Sequence, residues 1–186
     1  MQFPELREPI KYAPGMQILK QPFIESVISF IVSANNNIKR FTKTLAQMQF
    51  DLPCLTSQTE DDFKRIGCGY RAAYLVKAAK QLEQMSFEEL ERLDDDLLYK
   101  NLRTITGVGD KVARCVMLFC FGRLHIVPVD TWIVKAYQAI FGMHDVHSVK
   151  SPAKIAEKLQ QRWGRYAGVA QQYLFYYTQY LKKELK

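Results

Sequence analysis

The sequence predicts an all-α protein, and three observations carry that expectation. Apolar residues recur at helical spacing over most of the 186 residues. No stretch alternates convincingly between apolar and polar; the nearest to a strand, His125 to Val129, is too short. A tight turn, Gly107-Val108-Gly109, separates two amphipathic segments, as in a helical hairpin.

Residues 1–21, with Pro4, Pro9, Pro14 and Gly15, read as a non-helical lead-in. Pro22 suits the first turn of a helix, and Phe23, Val27, Ile28, Phe30 and Ile31 give that helix a wide apolar face up to about Ser33. Asn35-Asn36-Asn37 breaks the pattern, and a second helix runs from about Ile38 to Gln49. Leu52 to Thr59 reads as a loop, after which Thr59-Glu60-Asp61-Asp62 opens a short helix. Gly67-Cys68-Gly69 is a glycine turn, Tyr70 to Met85 a long helix, and Ser86-Phe87-Glu88-Glu89 a capping box that starts the next.

The hairpin follows. Leu97, Leu98, Leu102 and Ile105 mark one face before the turn, and Val112, Val116, Phe119 and Cys120 one face after it. Pro128 ends what precedes it, and Asp130 stands as N-cap to a helix from Trp132 to Ile140. Residues 141–152 read as a loop. Ser151-Pro152 begins a helix reaching Trp163, Gly164 interrupts, and Tyr166 to Lys183 forms an aromatic-rich last helix.

The net charge of +7 favours a polyanionic partner, although charge alone does not establish one. The opening residues are polar and proline-broken, unlike a secretory signal, and no apolar run reaches membrane-spanning length. A soluble protein is expected, in the bacterial cytosol or nucleoid, or in a eukaryotic nucleus. The four cysteines, at 54, 68, 115 and 120, form no Cys-x-x-Cys pair. Reduced thiols are expected, with Cys115 and Cys120 on the core side of the hairpin's second helix. His125, His144 and His147 lack zinc-site partners, so no metal site is expected.

The turn has its own chemical promise. Glycine permits positive φ and lets another backbone approach closely. The helix after it starts near Asp110, so unbonded N–H groups and the positive dipole end face outward, a setting that suits a phosphate. Lys111 stands at that start, where a positive field disfavours a second positive charge and so favours the nucleophilic free amine. Taken singly, these features also describe an ordinary helix–helix turn, a surface lysine and a structural cap.

Together they resemble a known family. Thr106-Gly107-Val108-Gly109-Asp110-Lys111-Val112-Ala113, followed by Val127-Pro128-Val129-Asp130, is similar to the helix-hairpin-helix DNA glycosylases. That superfamily shares the aspartate, and a hairpin lysine marks the members that also cleave the strand. Three further stretches resemble the 8-oxoguanine DNA glycosylases in particular: Ser33-Ala34-Asn35-Asn36-Asn37-Ile38-Lys39-Arg40, Gly69-Tyr70-Arg71-Ala72, and Trp163-Gly164 through Phe175.

The resemblance implies two helical lobes with a cleft between them within residues 22–186: a six-helix lobe at about 22–122 and a second at about 123–186. Lys111 would attack C1′ of an extruded nucleotide, and Asp130 would stabilise the positive charge that builds on the sugar. Cleavage of the abasic strand would follow by β-elimination from a Schiff base. Gly107, Val108 and Gly109 would hold the DNA backbone. Asn35 would fill the gap left by the flipped base, Arg40 and Arg71 would read the orphaned cytosine, and Tyr70 would wedge beside it. Gln171 would hydrogen-bond the Watson–Crick edge of the flipped purine, with Phe175 stacked on one face and Cys115 packed on the other. For Tyr173, Tyr176 and Tyr177 the expectation is an ordinary aromatic core.

No cysteine follows Cys120, so the iron–sulfur cluster of some relatives is not expected, and no other cofactor is implied beyond a structural monovalent cation that the hairpin could hold. The implied partner is double-stranded DNA containing an oxidised purine, bound by a monomer. Family members usually carry a β-rich domain before this core, and its counterpart is not visible here. Two other readings stand beside this one: a hairpin module that binds DNA or abasic sites without excising bases, and a glycosylase for another lesion.

Overall fold

A computed structural model describes residues 3–141 and 151–184. Most of the loop expected over 141–152, with His144 and His147, lies outside the described residues. Among the described residues there are helices and short 3-10 turns but no strand, and no helix is long and apolar enough to cross a membrane.

The lead-in is helical, contrary to expectation. A 3-10 turn, Pro4–Leu6, runs into α1, Arg7–Tyr12. Its prolines sit where they do no harm. Pro4 opens the 3-10 turn, and Pro9 lies in the first turn of α1, where a helix leaves its N–H groups unbonded in any case. Then follow α2 (Phe23–Ser33), α3 (Ile38–Leu45), α4 (Leu52–Ser57) and α5 (Glu60–Arg65). Helix α4 replaces the loop expected over Leu52 to Thr59. Asp51 caps it by accepting the Cys54 N–H at 2.9 Å, and Pro53 occupies its first turn rather than breaking it. Helix α3 stops short of Gln49, with Ala46 as its C-cap. The capping box at Thr59 and Asp62 forms as expected.

A 3-10 turn, Gly69–Arg71, leads into α6, Ala72–Glu83. Ser86 caps α7 (Phe87–Glu91) through the Glu89 N–H. Helices α8 (Asp95–Thr104) and α9 (Asp110–Phe119) flank the glycine turn. Helix α10 (Thr131–Phe141), α11 (Pro152–Trp163), a 3-10 turn at Gly164–Tyr166 and α12 (Ala167–Glu184) complete the chain.

The chain divides into two compact units. One is Lys20–Phe121; the other joins the residues up to Leu19 with those from Gly122 onward. In the first, α9 packs against α2 and α8, while α6 packs against α2, α4 and α5. Its core includes Ile28, Ile31, Leu75, Leu98, Leu102 and Val116, all at most 1% exposed. Side chains of this kind each contribute about 1.5–3 kcal/mol by leaving water. The glycine turn between α8 and α9 and the turn before α6 are therefore mounted on a close-packed base.

The second unit has its own core, in which Ile133, Tyr137, Leu159, Trp163 and Leu174 meet Leu6 from the N-terminal segment. That segment is pinned by charge as well as by packing. The Glu5 carboxylate accepts from Arg162 Nη2 at 2.9 Å, from Arg162 Nε and from Trp163 Nε1 at 3.0 Å. The Arg162 hydrogen bond is the main reason that the Glu5 carboxyl falls from its ordinary 4.5 to about 2. A carboxyl held below its unfolded value adds stability that is complete above about pH 4.5 and is lost as pH falls towards 2. Glu5→Gln should therefore destabilise this unit by about 2–3 kcal/mol at pH 7. The gap between the two proteins should narrow by more than half at pH 3, measured by urea unfolding at both values. A gap independent of pH would show that the ion pair contributes nothing.

Candidate active site

The hairpin is built from the end of α8 outward. Ile105 leaves the helix in an extended conformation (φ −71°, ψ 126°). The Val108 N–H then donates to the Ile105 carbonyl at 3.0 Å, closing a four-residue turn. Gly107 stands third in it with φ +88°, the value a type II turn requires there. A Cβ at 107 would also meet Ile31 Cγ2 and Tyr74 Cβ at 3.2 Å, so conformation and space both demand glycine. Gly109 differs. Its φ is −85°, and an added Cβ would find only Arg103 Nη1, at 3.8 Å. It is exposed and caps α9 without any side-chain bond to the helix's first N–H groups. The start of α9 thus presents backbone donors and the positive dipole end past a residue with no side chain, a suitable seat for a phosphate.

Asp110 ties the two helices of the hairpin together. Its Oδ1 accepts from Tyr99 Oη of α8 at 2.8 Å and from Arg114 Nε of α9 at 3.1 Å. One residue on, Lys111 is partly buried, with Nζ 5.2 Å from the centre of the Phe30 ring. Phe30 in turn stacks on Phe119, with ring centres 6.0 Å apart. The lysine therefore has an aromatic face beside its amine, which attracts it in its charged form. Helical spacing alone puts Phe30 on the apolar face of α2 and gives no sign of Lys111 beside it.

Two distant stretches meet on the same unit. Each asparagine of the triplet has its own place. Asn36 Nδ2 donates to the Val32 carbonyl at 3.1 Å, closing the end of α2. Asn37 Oδ1 accepts the Arg40 N–H at 2.9 Å, capping α3. Asn35, between these two anchored helices, is exposed and adopts φ +48°, the only positive φ of a non-glycine among the described residues. Arg71 reaches it from the start of α6. Arg71 is 4% exposed, and its Nε donates to the Ala34 carbonyl at 2.8 Å, its Nη2 to the same carbonyl and to that of Asn35 at 2.7 Å, and its Nη1 to Cys68 at 3.4 Å.

The Arg71 guanidinium also lies 4.4 Å from the Tyr70 ring, which is itself 58% exposed and set edge-on to Tyr74. Arg40, exposed on α3, reaches the Gly67 carbonyl at 3.5 Å. Asn35, Arg40, Tyr70 and Arg71 thus form one group. Arg71, however, lies beneath the loop as its anchor rather than on the surface.

Cys115, on the inner side of α9, is 4% exposed and Cys120 fully buried. Burial pushes the Cys120 and Cys68 thiols up to about 11 each, so neither is a nucleophile at neutral pH.

The second unit holds the remaining candidates. Asp130 caps α10 as expected: its Oδ1 accepts the N–H groups of Trp132 and Ile133 at 2.9 and 3.0 Å. On α12, Gln171 is 2% exposed, with Oε1 accepting from Gln172 Nε2 at 2.8 Å, and Phe175 is partly buried against the unit's core. The expectation of a tyrosine core on this helix fails for Tyr176, which is 52% exposed. Tyr176, Tyr177 and Tyr180 gather instead around Tyr12 of α1, with ring centres 4.2 to 5.8 Å apart.

No family model matches the chain. Individual proteins do. The N-glycosylase/DNA lyase OGG1 of Arabidopsis thaliana is 29% identical, over 92% of this chain and 54% of its own length. The N-glycosylase/DNA lyase of Saccharomyces cerevisiae is 30% identical, over 87% and 56%. The chain therefore spans about half the length of these curated relatives. Among solved structures, the Clostridium acetobutylicum 8-oxoguanine glycosylase/lyase, in complex with duplex DNA containing cytosine opposite 8-oxoguanine, matches with a TM-score of 0.86 at 31% identity. That match covers 96% of this chain and 67% of the solved one. The hairpin with its lysine, the capping aspartate and this likeness together make the chain a member of the 8-oxoguanine glycosylase/lyase family of helix-hairpin-helix DNA glycosylases.

Proposed function

We propose that the protein excises 8-oxoguanine paired with cytosine from duplex DNA and then cuts the strand, with Lys111 as nucleophile. The Lys111 amine attacks C1′ as the glycosidic bond breaks, and the base leaves with the electron pair and a proton. The sugar ring opens to an imine between Lys111 and C1′. The imine acidifies the C2′ proton; its loss expels the 3′ phosphate by β-elimination. Water then releases the lysine. The chain supplies its own nucleophile, so this sequence draws on no metal or cluster. Asp130 opposes the positive charge on the sugar, Gln171, Phe175 and Cys115 hold the extruded purine, and Gly107 to Gly109 grip the backbone. The protein acts as a monomer on DNA in the nucleoid or nucleus.

The observation that carries this reading furthest is the bonding of the Asn35 loop to the turn before α6. A generic hairpin module has no need of it. It presents Asn35 in a left-handed conformation beside an exposed Tyr70, as needed to fill a gap and replace lost stacking. It also refines the division of labour between the arginines. The Arg71 donors are bonded to backbone carbonyls, whereas Arg40 is exposed and, among the described residues, its guanidinium makes one long bond, to the Gly67 carbonyl. Arg40 is therefore the first donor to cytosine O2 and N3, with Arg71 holding the loop that places Asn35.

Cytosine offers acceptors at that edge; adenine offers an N6 donor that leaves a guanidinium unpaired, at a cost of about 1–3 kcal/mol. Single-turnover excision on four duplexes differing only in the base opposite 8-oxoguanine should favour cytosine over adenine by roughly ten- to a hundredfold. Arg40→Ala should shrink that preference more than it weakens overall binding, unlike the loss of a phosphate contact, which weakens all duplexes alike. Equal rates on all four would overturn the cytosine reading.

A further inference from the structure

The hairpin depends on a residue outside it. The last carbonyls of a helix lack partners within that helix, so the Thr104 carbonyl, ending α8, needs one from elsewhere. The turn itself closes through Val108 and Ile105, which leaves the Thr106 N–H unused. Both groups are met by one side chain of α6. Gln81 Nε2 donates to the Thr104 carbonyl at 3.0 Å, and Gln81 Oε1 accepts the Thr106 N–H at 2.8 Å. A primary amide carries a donor and an acceptor in one plane, as a peptide group does. Gln81 thus pairs with the backbone on either side of Ile105 as a neighbouring strand would.

Ile105 is 1% exposed, so this pairing fixes the backbone where the chain leaves the core for the turn. Helix α6 makes a second contact two turns earlier, where Tyr74 backs Gly107. The same helix begins directly after Arg71, its N-cap and the anchor of the Asn35 loop.

We infer that Gln81 is a positioning residue: it sets the hairpin's shape from α6, in register with the opposite-base loop that the same helix holds. This rests on the reading above that the hairpin grips the DNA backbone. The sequence gives it no motif, because a glutamine on a half-exposed helix face reads as surface.

Two variants test it. Gln81→Met keeps the side chain's length and removes both bonds; Gln81→Glu keeps the acceptor for Thr106 but sets a carboxylate against the Thr104 carbonyl. Amide hydrogen exchange, resolved by NMR, follows the clamp directly, and affinity for duplexes with a tetrahydrofuran abasic analogue opposite cytosine or adenine follows its use. In Gln81→Met the Thr106 amide should exchange at least about tenfold faster, while the Leu75 and Ala79 amides of α6 keep their protection. Affinity should fall about tenfold, the worth of one well-made hydrogen bond, on both duplexes alike, leaving the cytosine preference intact. Gln81→Glu should fall between this variant and the wild type.

Unchanged Thr106 exchange, or faster exchange with unchanged affinity, overturns the inference. So does a general loss of protection through the unit, which would make Gln81 a stability residue. If the wild type itself does not bind these duplexes, the proposed function fails, and Thr106 exchange still decides whether the clamp exists.

Discussion

Lys111→Gln should abolish both base release and the adduct trapped by borohydride, while affinity for the duplex changes only a few-fold. The substitution keeps most of the length and polarity of the side chain and removes the amine. Nothing else at the hairpin needs to move. Gly107 is fixed by its positive φ and by Ile31 and Tyr74, and Asp110 stays bonded to Tyr99 and Arg114. The backbone donors at the start of α9, proposed to seat a phosphate, are therefore retained. Excision should drop by at least about a thousandfold, because a site stripped of its nucleophile keeps only its residual stabilisation of the transition state. Single-turnover excision and borohydride trapping on a duplex with 8-oxoguanine opposite cytosine measure both effects. An adduct that survives in the variant would make another amine the nucleophile. A wild-type protein that binds the duplex but neither releases the base nor forms an adduct would be a binding module instead.

The parts of this site that sequence reading reached are those whose chemistry is local. A glycine turn between two periodic segments implies the hairpin, and Asp130 before an apolar run implies a cap; both depend on neighbours within a few residues. The grouping of Asn35 and Arg40 with Tyr70 and Arg71 is not local, and it was reached only through resemblance. Even then the resemblance gave Arg71 only a role at the cytosine, because a motif names a residue without saying whether its donors face solvent or the backbone; here they meet the Ala34, Asn35 and Cys68 carbonyls.

Phe30 and Gln81 escaped for the same reason. Helical spacing shows which face Phe30 occupies, not that Lys111 lies beside its ring. The groups bonded by Gln81 belong to Thr104 and Thr106, more than twenty residues further along the chain. Helix α1 departs from the non-helical lead-in expected from its prolines because Pro9 falls in a first turn, and α4 departs from the expected loop because Asp51 caps it and Pro53 also falls in a first turn. Missing α1 had a consequence, since it hid the surface that Tyr12 offers to Tyr176, Tyr177 and Tyr180.

Asp130→Asn separates charge from capping more cleanly than any other change at the site. Both N–H groups of α10 that the side chain holds go to one atom, Oδ1, at 2.9 and 3.0 Å. Asparagine supplies an equivalent oxygen and caps helices about as well as aspartate, so thermal stability should stay within about 1 kcal/mol of the wild type. What the variant loses is the negative charge. If that charge opposes the positive charge developing on the sugar, its effect is confined to the transition state, and comparable losses slow reactions by about 10²–10³-fold. Duplex affinity, set in the ground state, should change far less, so the loss should appear in the single-turnover rate at saturating protein rather than in binding. Asp130→Ala, which removes cap and charge together, should lose about 1 kcal/mol of stability as well. The decisive comparison is excision per folded molecule, with the folded fraction taken from circular dichroism. If Asp130→Asn unfolds readily yet excises normally per folded molecule, the residue is a helix cap and nothing more. If it folds as well as the wild type and excises two or three orders of magnitude more slowly, the charge itself is the contribution.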